Sequence, residues 1–96
     1  MLDSHGRVVL GKELLSRVDL ETNHKVNMFF DDTQKRLILL SCDDVRSTKM
    51  LYFVATHNID EKGRIFIPAQ VRKAFPKATY LPVEKDGNIY ILIIDQ

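Results

Sequence analysis

The motif D-x-x-G-R occurs twice in this chain and places charged residues at two equivalent positions. The first copy consists of Asp3, Gly6 and Arg7, and the second, in the other half of the chain, of Asp60, Gly63 and Arg64. Aspartate and glycine at this spacing suit a tight turn. The arginine fork suits phosphate oxygens or a guanine edge. The motif therefore indicates either a pair of anion-binding turns or turns closed by a local Asp–Arg bond.

Other basic side chains stand close to each motif and could contact the same anion. They are Lys62, Arg72 and Lys73 in the second copy, and Lys12 and Arg17 in the first. On the polar side of a short helix, such residues most often form only a solvated face. If DNA is the partner, they would contact phosphates, which position a protein without reading the base sequence.

Metal and nucleophile chemistry have little support in the sequence. His5, His24 and His57 show no ligand spacing with one another or with Cys42. Cys42 ends an apolar run, which predicts a small buried side chain rather than a nucleophile. We therefore expect no metal, no cofactor and no enzymatic activity.

The second motif is followed by the pattern of a strand, a helix and a hairpin. The stretch "RIFIP" at 64–68 alternates, which predicts a strand with one buried face. "AQVRKAF" predicts a short helix that ends before Pro76, because proline disfavours helical geometry at the preceding residue. "TYLPV" and "NIYILII" flank Asp86-Gly87, a strong signal for a type I′ hairpin turn.

The first motif is followed by the same order of elements. "RVVL" predicts the strand, with Val8 and Leu10 on one face, and Leu14, Leu15 and Val18 predict a helix face. "KVNMFF" and "RLILLSC" flank the polar turn "DDTQK" and predict the hairpin. Aligning the two hairpins on their apolar runs matches "F" at position 30 with "V" at position 83.

These patterns divide the chain into repeat 1 at residues 1–42, a polar linker at 43–50 and repeat 2 at 51–96. "LYFVATHNI" adds a strand before the second motif. A unit of fewer than about 50 residues cannot bury its apolar face alone, so we expect both repeats to share one core in a single domain. The expected fold is mainly β (α+β), a small barrel of two strand-helix-hairpin repeats related by a pseudo-two-fold axis.

The composition fits a folded cytoplasmic protein. Hydrophobic residues make up 45% and charged residues 28% of the chain, which excludes a disordered chain. The apolar runs are too short to cross a membrane, and Asp3 interrupts any amino-terminal signal segment. The lone Cys42 cannot form an internal disulfide. The net charge of +1 is too small to indicate nucleic-acid binding by itself.

The order of a D-x-x-G-R turn, a strand ending in Ile-Pro, a short helix and a hairpin resembles the AbrB/MazE/SpoVT superfamily. The tandem copies "LDSHGR" and "IDEKGR" are similar to its MraZ group. The resemblance covers nearly the whole chain. It implies a swapped-hairpin β-barrel that binds double-stranded DNA, commonly as a transcriptional regulator or an antitoxin, in a prokaryotic cytoplasm in association with the nucleoid.

The resemblance also assigns roles by position. Arg64 matches the turn arginine of the family, and Arg7 matches it in the first repeat. Arg72 and Lys73 match the family's pair of basic helix residues. These four side chains are therefore expected DNA contacts, together with Lys62, Lys12 and Arg17.

The first repeat departs from the family pattern in its helix. Gly11 stands where proline is usual, and Leu15 and Ser16 stand where the basic pair would be. Lys12 and Arg17 could substitute for that pair. The second repeat is therefore expected to lead in DNA binding, with a homo-oligomer as a further expectation.

Two alternatives use related barrels with similar half-units, the double-psi and RIFT types. The first is a protein-binding module with little DNA affinity, either an antitoxin-like partner or an adaptor of the kind attached to ATPases. The second is a pyruvoyl-dependent enzyme, a class that cleaves itself at a Gly-Ser bond. This sequence contains no Gly-Ser.

Overall fold

The computed structural model describes residues 2–95. Its strands are β1 (Arg7–Val9), β2 (Lys25–Asp31), β3 (Arg36–Ser41), β4 (Tyr52–Asn58), β5 (Arg64–Phe66), β6 (Thr79–Lys85) and β7 (Asn88–Ile94). Its helices are α1 (Lys12–Ser16) and α2 (Ala69–Ala74). Each helix is shorter than two turns, so the fold is mainly β, as the sequence predicts.

The strands form two antiparallel sheets. β1 and β5 form a two-stranded sheet, which we call the ribbon, and the other five strands lie in the order β4-β2-β3-β7-β6. Between residues 2 and 95, hydrogen-bonded strands form these two open sheets and not one closed barrel. β2 pairs with β4 and β3 pairs with β7, so strands of the two repeats are interleaved in the larger sheet.

Local sequence signals account for the turn and the helix of the second repeat. Asp86 and Gly87 join β6 to β7 with φ angles of 54° and 80°, the positive values that a type I′ turn requires. α2 follows Pro68, whose φ of −58° suits a helix start. It ends at Ala74, because the chain leaves helical geometry before Pro76. The predicted hairpin turn and the predicted end of the helix are confirmed.

An approximate two-fold axis relates the two repeats. In the ribbon, Val8 lies opposite Ile65, and each of these residues directly follows the arginine of its own motif. Equivalent backbone hydrogen bonds of 2.8 Å flank this pair, one donated by the N–H of Leu10 to the carbonyl of Gly63 and one by the N–H of Ile67 to the carbonyl of Gly6. The axis therefore passes through the centre of the ribbon, between the two D-x-x-G-R turns.

The hairpins align differently from the expected match of Phe30 with Val83. Phe30 packs against the core, whereas Val83 lies opposite Tyr90 on the other face of the sheet. A slip of one residue turns every side chain of a strand to the other face. When Phe29 is matched with Val83 instead, the core-facing residues of β2 correspond to the core-facing residues of β6. The turn of the first hairpin is longer, 32–35 against 86–87, so Leu37 of β3 then matches Ile89 of β7.

One core lies between the five-stranded sheet and a second layer made of the ribbon and both helices. The sheet contributes Met28 and Ile91, both 0% exposed, and the second layer contributes Ile65, Leu15 and Val71. Every buried side-chain nitrogen or oxygen described in residues 2–95 has a hydrogen-bond partner. Both repeats supply side chains to this core.

Some residues lie outside the elements expected from the sequence. Cys42 is exposed, because β3 ends at Ser41 and the chain turns away from the sheet there, so the prediction of a buried thiol is wrong. Leu10 and Ile67 follow the ends of β1 and β5, although both remain buried. Among the described helices, neither has the length and apolar character needed to span a membrane.

Candidate nucleic-acid interface

Each D-x-x-G-R motif folds as a turn held by its aspartate. Oδ1 of Asp3 accepts the N–H groups of His5 and Arg7, each at 2.9 Å. Oδ1 of Asp60 accepts the equivalent N–H groups of Lys62 and Arg64, at 2.9 and 2.8 Å. The carboxylate thus holds the backbone of its own turn, as aspartate commonly does.

The glycines permit this turn because both have positive φ, 78° at Gly6 and 74° at Gly63. Only glycine adopts such values without steric cost. The N–H of each glycine also donates to the carbonyl of its motif's aspartate, at 3.0 Å in both copies. The motif spacing is therefore a structural requirement as well as a candidate site.

The two turn arginines are ion-paired with these aspartates. Nε of Arg7 donates to Oδ2 of Asp3 at 2.8 Å, and Nε of Arg64 donates to Oδ2 of Asp60 at 2.7 Å. Nη1 of Arg7 also lies 3.8 Å from Oδ2 of Asp60, across the two-fold axis. The local Asp–Arg bond considered for the sequence is thus present in both copies.

The terminal nitrogens of the two arginines differ in their surroundings. Nη2 of Arg7 lies 3.5 Å from Nδ1 of His5. Among residues 2–95, the side-chain hydrogen bond of Arg64 is donated by Nε, and its terminal nitrogens donate none. Arg64 is therefore held at Nε while its two outer nitrogens stay available to a ligand.

Both arginines lie on the outward face of the ribbon. Val8 and Ile65 point into the core, so their neighbours along each strand point away from it. Arg7 lies opposite Phe66, and Val9 lies opposite Arg64. The outward face thus carries two arginines and two apolar side chains around the two-fold axis.

Arg72 lies against the turn of the other repeat. Its Nε donates to the carbonyl of Ile67 at 2.9 Å, and its Cζ lies 5.1 Å from the centre of the Phe66 ring. A Cβ added to Gly6 would lie only 3.0 Å from the guanidinium carbon. Arg72 is therefore half-buried between Gly6 and Phe66, in contrast to the solvated helix face expected from the sequence.

The first repeat places an apolar side chain at the equivalent position. Leu15, which corresponds to Arg72 when the two motifs are aligned, packs on the other turn, with its Cδ1 3.5 Å from the position of a Cβ on Gly63. This equivalence confirms that Leu15 stands where the second repeat has a basic residue. The guanidinium of the second helix therefore has no counterpart in the first.

The remaining candidates are surface residues. Lys62 is exposed on the second turn, next to Gly63, and Lys73 is exposed on α2. Lys12 is exposed at the start of α1. Arg17 follows α1 and forms an exposed ion pair of 2.9 Å with Glu13. The structure thus brings Arg7, Arg64 and Arg72 together around the ribbon, whereas the others lie at its margins.

Two aromatic residues of the site were not singled out as site residues from the sequence. Phe66 is half-buried on the outward face, and the ring of His57 meets it edge-on with the ring centres 5.4 Å apart. The alternation in "RIFIP" could have identified Phe66 as a residue of the site, because it places Phe66 on the face opposite Ile65. His57 gave no such signal, since β4 carries it from a different part of the chain.

The turn carboxylates are ionised at neutral pH. The N–H donated by Arg7, followed by that of His5 and the Arg7 guanidinium, lowers the pKa of Asp3 to about 2, against partial desolvation. Desolvation also opposes the shift at Asp60, yet the N–H and guanidinium of Arg64 leave the pKa of Asp60 lowered. Both aspartates therefore offset the charge of the arginines they hold.

The lowered pKa of Asp3 predicts an acid-sensitive contribution to stability. The carboxyl has an ordinary pKa of 3.8 when unfolded and about 2 when folded, so its stabilising effect is full above pH 4 and is lost as pH falls towards 2. In Asp3→Asn, the melting temperature should therefore fall less between pH 4 and 2 than in the wild type. Thermal melts by circular dichroism would measure this.

The matched control for that comparison is Asp43→Asn. Asp43 is exposed, and its side chain makes no hydrogen bond or ion pair within residues 2–95. Its acid profile should follow the wild type. Identical profiles for Asp3→Asn and the wild type would contradict the proposed role of the turn carboxylate.

A separate cleft of about 380 Å³ lies away from the ribbon. Its lining includes His24, Ser41 and Arg46, with Nε2 of His24 3.1 Å from Oγ of Ser41. Arg46 is bound to Asp44 at 2.8 Å. In residues 2–95 no group of three histidine, cysteine, aspartate or glutamate side chains is arranged to hold a metal ion.

Comparison with known proteins adds no relative. No protein-family model, no curated protein and no solved structure matches this chain. The functional argument therefore depends on the ribbon and its turns.

Proposed function

We propose that this protein is a DNA-binding transcriptional regulator of the AbrB type, with the ribbon as its DNA-contacting element. The observation that carries the proposal is the position of Arg7 and Arg64 on one outward face, beside the two-fold axis. A two-stranded ribbon has the width of the DNA major groove, and proteins of several folds read DNA with such ribbons.

The topology supports the same proposal. Two turns of one motif meet at a two-fold axis, and each is followed by a short helix and a hairpin. β4 precedes the second motif yet pairs with β2 of the first repeat, so the repeats exchange strands. We propose that this arrangement is the swapped-hairpin fold of the AbrB superfamily, with double-psi and RIFT topologies as the alternatives.

The ion pairs give the arginines a defined orientation. A guanidinium held at Nε loses less side-chain freedom on binding, because one edge is already fixed. The outer nitrogens of Arg64 then remain for the O6 and N7 atoms of guanine or for a phosphate. Lys62 and Lys73, both exposed near this face, would add phosphate contacts.

The charges around the ribbon favour DNA binding of modest affinity, which should weaken as the salt concentration rises. Arg7, Arg64 and Arg72 carry three positive charges, while Asp3 and Asp60 carry two negative charges, which leaves one net positive charge before the lysines are counted. Each phosphate neutralised by a protein cation releases counterions. The logarithm of the binding constant should therefore fall linearly with the logarithm of the salt concentration.

The proposal predicts that Arg64→Ala weakens DNA binding about tenfold or more, because a base or phosphate contact of arginine contributes about 1–3 kcal/mol. The measurement is fluorescence anisotropy with duplexes selected from a random pool, between about 50 and 200 mM salt. If Arg64 contacts a phosphate, the salt slope should also fall by about one unit.

Arg46→Ala is the matched control. Arg46 also pairs with a local aspartate, Asp44, but lies in the linker and not on the ribbon. It should bind DNA as tightly as the wild type. The proposal is wrong if no duplex binds at the lowest salt concentration, or if Arg64→Ala and Arg46→Ala have equal effects.

A second candidate function is a protein-binding module with little DNA affinity. The ion pairs of Arg7 and Arg64 favour it, because two carboxylates already offset these charges. Pull-down of one stoichiometric protein, together with no selected duplex, would support this candidate.

A further inference from the structure

A cleft of about 460 Å³ lies between Leu2 and the segment that joins α2 to β6. Leu2 lines it from the first repeat, and the second repeat contributes Arg72 and most of residues 75–80. Clefts that bind small molecules commonly have volumes of about 300–1,000 Å³. This cleft therefore has room for a small organic ligand.

The walls of the cleft are mostly apolar. Leu2, Phe75 and Ala78 are partly buried and pack against the core, and Pro76 is exposed beside them. The hydroxyl of Tyr80 donates to the carbonyl of Phe75 at 3.0 Å, so its proton is already used within the chain. A ligand that fills the cleft therefore needs an apolar body.

Arg72 is the charged residue in the described lining of the cleft. Unlike Arg7 and Arg64, it has no carboxylate partner within residues 2–95. Its Nε donates to the carbonyl of Ile67, and its terminal nitrogens donate to no group in that range. Every buried side-chain nitrogen described there has a partner, so the two terminal nitrogens are open to solvent. A half-buried guanidinium in this state favours an anionic ligand.

The charge of Arg72 lies close to the walls of the cleft. Burial raises the pKa of the Tyr80 phenol, the charge of Arg72 acts against that rise, and the charge of Asp95 adds to it. Because such effects act over short distances, the guanidinium lies near Tyr80. Asp95 is exposed and forms no ion pair with Arg72 within residues 2–95, and Lys77 is exposed in the loop after α2. One net positive charge therefore remains at the cleft.

This positive charge occurs at one of the two equivalent positions in the chain. In the first repeat, Leu15 stands at the position of Arg72 and packs on Gly63. We therefore expect one anion per chain. The same comparison shows that an apolar side chain can pack at this position, so Arg72→Leu has a precedent within the molecule.

We propose that this cleft binds a small amphipathic anion, an organic molecule with an apolar body and one carboxylate or phosphate group. The terminal nitrogens of Arg72 donate to the anionic oxygens, in the forked geometry that arginine offers to either group. The apolar body lies on Leu2, Phe75 and Ala78. The exposed hydroxyl of Thr79 supplies a further donor. This site is separate from the DNA-binding proposal, and its test uses protein and ligand alone.

The test is a titration of isotope-labelled protein, followed through its backbone amide signals in NMR spectra. The probes are hexanoate and hexyl phosphate, added to about 20 mM because ligands of this size commonly bind weakly. Both should shift the signals of residues 75–80 saturably, with one ligand bound per chain. Hexanol and hexylamine, which have the same body without the anion, should bind at least about tenfold more weakly. The tighter of the two anions identifies the head group.

Arg72→Leu removes the charge and should weaken binding of both anions at least about tenfold, because charge-assisted hydrogen bonds are strong. Binding of hexanol should stay the same. Lys73→Leu is the matched control, since Lys73 is the next residue of α2, is exposed and lies outside the described lining. It should bind both anions as tightly as the wild type.

Three results would overturn the proposal. The first is that neither anion shifts the signals of residues 75–80 at the highest concentration. The second is that hexanol binds the wild type as tightly as the anions do, a comparison that holds even when a variant fails to fold. The third is an equal loss of affinity in Arg72→Leu and Lys73→Leu.

Discussion

Cutting the chain within residues 42–51 should leave two pieces that do not fold separately. Each of β1, β2 and β3 pairs with a strand from the other side of the cut. A piece of about 45 residues would expose the core side of its hairpin to water and bury too little apolar surface to offset its conformational entropy. Each piece alone should therefore show no cooperative thermal transition by circular dichroism, a complete loss relative to the intact chain.

Mixing the two pieces in equal amounts should restore the fold. The interleaved strands supply the same contacts whether or not the linker is continuous, so the mixture should regain a cooperative transition that depends on concentration. The matched control is a cut within the turn at 86–87, which separates only β7. A cooperative transition in either piece of the linker cut alone would show that one repeat carries a core of its own.

Much of this architecture follows from local chemistry in the sequence. Positive φ at Asp86 and Gly87 sets the second hairpin, and Pro76 sets the end of α2. The aspartate and glycine of each D-x-x-G-R motif define its turn. These signals act over a few residues, so they can be read without knowing which strands become neighbours.

Features that depend on strand neighbours were harder to predict. The longer turn of the first hairpin changes which side chains point inward, and a match of apolar runs cannot detect that change. The prediction of a closed barrel had the same weakness. Alternation shows that a strand has a buried face, but it does not show which strands pair with one another. In residues 2–95, the sheets stay open.

The candidate site was predictable in part. The motif identified Arg7 and Arg64 and offered both roles for them, an ion pair or an anion contact. The position of Arg72 on its helix could not show that the guanidinium packs against Gly6, because that contact joins the two repeats. Leu15 on Gly63 is the same contact without a charge, and it shows that this position has a packing role in both repeats.

Neighbouring residues of β7 offer the sharpest test of the two faces of the sheet. Ile91 points into the core and is 0% exposed, whereas Leu92 points to the opposite face of the sheet and is half-buried. Ile91→Ala should lower the free energy of unfolding by about 2–5 kcal/mol, because it leaves a cavity in close-packed surroundings. A domain of this size has a total of roughly 5–15 kcal/mol, so the variant loses a large fraction of its stability.

Leu92→Ala should cost much less in dilute solution, about 1 kcal/mol, because water already reaches part of this side chain. Urea unfolding of both variants measures this difference in the free energy of unfolding. Equal costs for Ile91→Ala and Leu92→Ala would contradict the assignment of Ile91 to the core and of Leu92 to the partly exposed face of β7.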